Sequence, residues 1–376
     1  MALNAHGFWD ADYGIFLPLR SPFPNAPGSI DRALSIAMMW RVTTLLGGVW
    51  VVADLMCDER WLLRIWWALA LAGSSIALLG LLQKATGATT TFWQETYPGE
   101  AAVGTFFATF YYHGNAGAFL NLALPAILGL AFRYASRPGH PVARALWITL
   151  SLIAIVAVFS DTSRMGQLIA VFIMLGLLIL SAGKIFRHAQ HLEWKTICLA
   201  LLIGTVAIWA VTRVSHLDRS LERWDRTENT VSKDARWLVD EAAIHALPAA
   251  GLLGFGPGTF SSVFPYFNRL EGRAAGEWFF LHNDYLQTLL EWGWLGGLLI
   301  FCLFFGGVFV ALRGLTNAEA IALSSRRRQF LGLAVVALVG LGLHAAVDFP
   351  LQISSIQLYA AIYLGVCWGS GSWRRL

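Results

Sequence analysis

Apolar runs separated by arginine-bearing loops constrain this chain more than any other feature. Stretches close to the ~20 apolar residues that cross a hydrocarbon core of roughly 30 Å recur at 33–56, 61–82, 116–132, 145–160, 165–181, 196–211, 289–312, 330–346 and 351–369. Nine such runs predict an all-α polytopic membrane protein with about nine transmembrane helices. Composition agrees: the chain is 57% hydrophobic and 13% charged, whereas a soluble domain is nearer ~25% charged. Cys57, Cys198, Cys302 and Cys367 lie in or beside apolar runs without CxxC or Cys/His spacing. That placement supports neither a disulfide framework nor a zinc site.

Charge placement gives the orientation. Arg60 and Arg64 follow the first run, Arg133, Arg137 and Arg144 the third, and Lys184, Arg187 and Lys195 the fifth. Arg313 and Arg326 to Arg328 follow the seventh run, and Arg374 and Arg375 end the chain. Alternation puts all of them on one side, which the positive-inside rule makes cytoplasmic. Four segments result: an extracytoplasmic amino-terminal segment 1–32, six spans over 33–211, an extracytoplasmic loop 212–288 and three spans over 289–376. The first segment has no signal-peptide character, so further spans are expected ahead of Met1. A second external loop, 83–115, is poor in charge.

The long loop carries elements of its own. In "SKDARWLVDEAAIHAL", Ser232 is placed to cap an amphipathic helix with Ala235, Leu238, Val239, Ala242, Ala243 and Ala246 on its apolar face. "GLLGFGPGTFSSVFPYF" then interrupts helicity at Gly251, Gly254, Gly256, Pro257 and Gly258. Without a strand and Rossmann unit around it, this is a structural turn or an anion-binding nest rather than a dinucleotide site. Arg213, Arg219, Arg223 and Arg226 alternate with Asp218, Glu222 and Asp225, the pattern of a solvated, salt-bridged face.

The foot of the seventh run, "HNDYLQTLLEWGWLGG", gathers polar groups where an apolar helix begins. Asn283 or His282 can cap it, and Asp284 suits the first turn. At 100° per residue, Asp284, Gln287 and Glu291 share one face, with His282 pointing away from it. The carboxylates are then expected to serve the bundle. Arg164, at the external end of the fifth run with Asp161 three residues before it, is either a snorkelling anchor or a cation aimed into a cavity. Arg236 offers a second cation before the glycine turn, whereas Arg41 lies inside the first run without an evident partner.

In order, "SRMGQL", "DARW…LPAAGLLGFGPGTF", "HNDYLQTLLEWGWLG" and "HAAVDFPLQISSIQLYAAIYLG" resemble the O-antigen ligase family, whose relatives include polysaccharide polymerases and protein O-oligosaccharyltransferases. With "GLLQKATG…GTFFATFYYHGNAGAFLNLALPAILGL" the resemblance spans 80–369. It implies a metal-independent, inverting GT-C type glycosyltransferase of the bacterial inner membrane, without a cofactor, acting on the periplasmic face. Its donor is a glycan on undecaprenyl pyrophosphate, and its acceptor a hydroxyl of a glycan or lipid such as lipid A core. Partners are then these substrates and membrane lipid, not nucleic acid. By the same resemblance His282 is the catalytic residue and Arg164 and Arg236 bind the pyrophosphate. Asn283, Asp284, Glu291, Gly254, Gly256 and Gly258 support them. Family members commonly carry more spans than nine, and "TFYYHGNAG" is looser than the Asn-rich form expected there.

This assignment fits the chemistry. A polyprenyl pyrophosphate departs well once two arginines neutralise it, and a histidine, titrating near neutrality as a residue type, can accept the acceptor's proton. Two other readings compete. A lipid-linked glycan flippase would also place polar groups at helix mouths beside a Gly/Pro break, but it predicts ionisable residues near mid-membrane. Apart from Arg41 there are few, His344 and Asp348 lying near the external end of the eighth run. A metal-dependent transferase would use Asp10 and Asp12 of "FWDADYG".

Overall fold

The computed structural model describes all residues except 11, 13–14, 95–105, 136–138, 190–234, 272–273, 275–277, 317–322 and 374–376. Ten helices of at least 12 residues appear among the described residues: α1 (Arg32–Leu55), α2 (Glu59–Ala85), α3 (His113–Ala135), α4 (Pro141–Ser160), α5 (Arg164–Ala189), α6 (Ala235–Ala250), α7 (Phe260–Glu271), α8 (Asp284–Thr316), α9 (Ser325–Ala345) and α10 (Ser354–Gly369). Six of them, α1, α2, α3, α4, α8 and α9, are long and apolar enough to cross a membrane. The fifth and ninth expected runs coincide with α5, apolar over Arg164–Leu180, and with the 16-residue α10. The sixth run, 196–211, lies outside the described residues, as do Ser232 and the charged stretch from Arg213 to Arg226.

Among the described residues the architecture is helical with one small sheet added. Near the amino terminus β1 (Gly7–Asp10) pairs antiparallel with β2 (Ile15–Pro18), Trp9 opposite Phe16. Their rings meet edge-on at 5.0 Å, the kind of cross-strand pair that stabilises a short hairpin. An expectation of helices alone missed it because four-residue strands leave little periodicity to read. The Asp10–Asp12 pair sits at the tip of this hairpin, where Asp10 Oδ1 accepts the Asp12 amide at 3.0 Å.

The chain folds into two compact units, each assembled from separated stretches of sequence. The first contains Met1–Asp54, Asn229–Val310 and Ala345–Gly371; the second contains Leu55–Glu228, Ala311–His344 and Ser372–Leu376. In the second, α3 is buried on nearly every side. Small residues let its neighbours close in: a Cβ on Gly73 would lie 2.2 Å from Ala123 Cβ, and one on Gly129 2.2 Å from Leu333 Cδ1. Asp58 caps α2 by accepting the Arg60 amide at 2.8 Å. Arg327 of α9 donates to the Cys57 carbonyl at 2.6 Å, and Trp66 stacks on Phe330 at 4.7 Å.

In the first unit α10 packs on α1 through glycines, a Cβ on Gly365 falling 2.6 Å from Val52 Cβ. Close approach of this kind is how helices associate when lipid removes the hydrophobic incentive. A second core lies outside these helices. Val239, Ala242, Ala243, Ala246 and Ala250 of α6 pack with Phe260 and Phe264 of α7 and with Leu281 and Leu290, on either side of the foot of α8.

Candidate active site

The foot of α8 is built by its own sequence. Asn283 caps the helix, its Oδ1 accepting the amides of Tyr285 at 3.1 Å and Leu286 at 3.2 Å, so His282 falls just before the first turn. Asp284, Gln287 and Glu291 are buried at 1–3% exposure, on one face as the helical arithmetic requires. Each has hydrogen-bond partners, which a buried carboxylate or amide demands.

Glu291 explains the glycine-rich segment. Its carboxylate accepts the amides of Gly258 at 2.8 Å and Phe260 at 3.2 Å, and the Gln287 side chain at 2.9 Å. Gln287 in turn accepts the Leu281 amide at 2.9 Å, which fixes the chain immediately before His282. The glycine segment therefore does form a nest for an anion, and that anion is Glu291 of the same protein. The Gly258 amide just ahead of α7 and the Phe260 amide at its start are thus committed internally.

The same segment repairs a break in α8. Gly293 has φ 65° and ψ −174°, interrupting the helix. The carbonyls of Leu290 and Glu291 accept the amides of Phe255 at 2.9 Å and Gly256 at 3.0 Å, and the Leu295 amide donates to Leu252 at 3.0 Å. Backbone groups freed in an apolar setting are costly unless re-paired, and the loop re-pairs them. Gly254 and Gly293 make the approach possible. Both have positive φ, and a Cβ on Gly254 would lie 2.4 Å from the Glu291 carbonyl, one on Gly293 2.4 Å from the Gly254 nitrogen. Behind this loop, Ser35 Oγ donates to the Pro257 carbonyl at 2.9 Å and Ile30 N to Phe255 at 3.0 Å.

His282 has a partner that the sequence did not pair with it. Its Nδ1 lies 3.0 Å from Oδ1 of Asp348, with the two side chains 13% and 6% exposed. The Phe349 amide donates to the same carboxylate oxygen at 3.0 Å. Phe349 meets the imidazole edge-on at 4.9 Å, and Trp278 does so at 5.8 Å. The signal was present in "HAAVDFPLQ", an aspartate ahead of Phe-Pro at the connection between the last two runs. A separation of 66 residues kept it from being joined to His282.

Arg236 is the second residue of α6, half-buried and one turn before Val239. Its helix thus shares the core that holds Leu281. Arg164 belongs to the second unit and opens α5, also half-buried. Its turn is held by Ser163, which accepts the Gly166 amide at 3.0 Å, by Asn121, which donates to the Gly166 carbonyl at 2.8 Å, and by Gln167, which donates to the Asp161 carbonyl at 2.9 Å. Lys84 donates to the Ser160 carbonyl at the end of α4, bringing a second cation to the turn. Among the described residues no group of three His, Cys, Asp or Glu side chains is arranged to hold a metal ion.

Residues 149–301 match the family model described as O-antigen ligase. The match begins within α4, ends within α8 and includes Arg164, Arg236, the glycine segment and His282; Asp348 lies beyond it. Comparison with curated proteins gave no match. The resemblance read from the sequence is thereby supported over these residues, and the several apolar helices fit a multi-pass membrane protein.

Proposed function

We propose, from the premise of an O-antigen ligase-like membrane protein, that this chain transfers a glycan from undecaprenyl pyrophosphate to an acceptor hydroxyl on the periplasmic face of the inner membrane. The observation that carries the reading is the His282–Asp348 contact at the mouth of α8. With Nδ1–H donated to Asp348, the imidazole is held in the tautomer whose Nε2 lone pair can accept a proton. The acceptor oxygen attacks the anomeric carbon, the bond from that carbon to the pyrophosphate oxygen breaks, and the hydroxyl proton passes to Nε2. Asp348 stabilises the resulting imidazolium, and attack opposite the leaving group inverts the anomeric centre.

Departure of the pyrophosphate calls for positive charge rather than a proton. Arg164 and Arg236 are assigned to it, through the bidentate hydrogen bonds that guanidinium groups make with phosphate oxygens. Asn283, Asp284, Glu291 and the three glycines are assigned to holding His282 in place. A lipid A core, a growing polysaccharide or a protein are the acceptor classes; the ligase reading is preferred, with polymerase and protein glycosylation as its relatives.

The test is complementation of a deletion strain with wild type, His282→Ala and Asp348→Asn, read as the surface lipopolysaccharide and capsule profile. Normally expressed His282→Ala should fail to restore surface glycan. Core-only material would indicate a ligase, and single-repeat material a polymerase. Full restoration by His282→Ala would remove the histidine from the reaction and the reading with it. Transfer in washed membranes is expected to continue in EDTA, and its loss there would direct attention to Asp10 and Asp12.

A further inference from the structure

The turn that carries Asp348 is gripped from two other elements, and one of them is the first helix. Asp348 lies on the short connection between α9 and α10, where a carboxylate keeps its aim only if the connection is fixed. Asp284, two residues after His282, accepts the Leu351 amide at 2.7 Å and the Gln352 side chain at 2.8 Å. Arg41 of α1 donates to the Gln352 carbonyl at 3.2 Å. The segment 282–284 and the turn 348–352 are thus joined twice, by His282 to Asp348 and by Asp284 to Leu351 and Gln352. Phe349, seated between these ties, stacks on Phe280 at 5.1 Å and meets the imidazole edge-on.

We propose that Asp284, Gln352 and Arg41 form a positioning clamp that holds the turn 348–352 in the register from which Asp348 and Phe349 orient His282. None of the three touches substrate in this scheme; each acts through Asp348. The role rests on the proposed function of His282. It accounts for a cation inside the first apolar run, where a charge is expensive without a purpose. It also separates the two carboxylates at the foot of α8, since Glu291 closes the glycine segment whereas Asp284 closes the dyad.

The test is a mutant cycle on the initial rate of glycan transfer. Detergent-purified protein would be added to membranes of the deletion strain, which supply their own lipid-linked donor and acceptor, and rates expressed per amount of monodisperse protein. Displacing a reacting group by about 1 Å costs on the order of 10²-fold, so Asp284→Ala should fall about that far and Arg41→Met and Gln352→Ala roughly 10-fold. Asp284→Asn should stay within about fivefold of wild type, since its amide still accepts from Leu351 and can donate to a flipped Gln352 side chain. Combined with Asp348→Asn, or with Asp348→Glu where Asn leaves no measurable rate, Asp284→Ala should lower the rate less than about twofold further, because residues acting as one unit are not additive. Additive losses, an Asp284→Asn as impaired as Ala, or unchanged rates in Arg41→Met and Gln352→Ala would each overturn the clamp. If Asp284→Ala yields no monodisperse protein, Gln352→Ala and Arg41→Met carry the cycle. Wild-type rates in His282→Ala would instead sink the proposed function, whatever the clamp variants do.

Discussion

Glu291 is the residue whose partners decide most about its surroundings. Three donors converge on its carboxylate, two of them the backbone amides of Gly258 and Phe260. Glu291→Gln keeps the shape but turns one acceptor into a donor facing an N–H, and leaving a buried donor unpaired costs about 1–3 kcal/mol. We expect Glu291→Gln to lower the melting temperature in detergent clearly, while Glu291→Asp, shorter by one methylene, loses some of the three contacts. A melting temperature of Glu291→Gln equal to wild type would mean that the carboxylate is not the anchor of the loop. The helix face shared by Asp284, Gln287 and Glu291 was legible in the sequence because 100° per residue is a property of any helix. Their partners were not, for Gly258, Phe260, Leu351 and Gln352 lie tens of residues away and nothing local announces them. The same distance hid Asp348, although its place between the last two runs could be read.

At the level of elements, the break in α8 and the loop that fills it are one structure. "LEWGWLGG" reads as an uninterrupted apolar helix, because a single glycine inside such a run is tolerated. The reason for the break lies upstream, in the glycine segment whose amides take the freed carbonyls. Legibility failed here in both directions, since the loop suggested an anion site without revealing that the anion was Glu291. Gly254→Ala and Gly293→Ala each place a methyl within 2.4 Å of the opposing backbone at positive φ. Left-handed geometry alone costs a residue with a Cβ about 1–2 kcal/mol, and the backbone clash adds to it. Both variants should give little monodisperse protein. Gly251→Ala is the control, having φ +59° but open space for a Cβ; its loss should stay near the left-handed term. Equal yields from all three would show that the loop does not seat against the break.

For the whole molecule, the helical class followed from lipid thickness and composition, physical limits that act on any chain. How the chain is shared between units did not follow, because each unit draws on stretches far apart in sequence. The charge rule likewise speaks of sides and not of contacts, and here it makes a prediction that can be checked without substrate. The loop after α2 contains Thr89, and the start of α4 contains Val142, which is 80% exposed. Alternation with arginines inside puts Thr89 outside and Val142 in the cytoplasm. Phe279, 65% exposed beside His282, should face the periplasm with the candidate site. In a background with Cys57, Cys198, Cys302 and Cys367 replaced, a thiol reagent that cannot pass the inner membrane should label Thr89→Cys and Phe279→Cys in intact cells. It should reach Val142→Cys only after that membrane is opened. Early labelling at position 142 with protection at 279 would invert the orientation and move the chemistry to the cytoplasmic face, where a donor that has already crossed the membrane is out of reach.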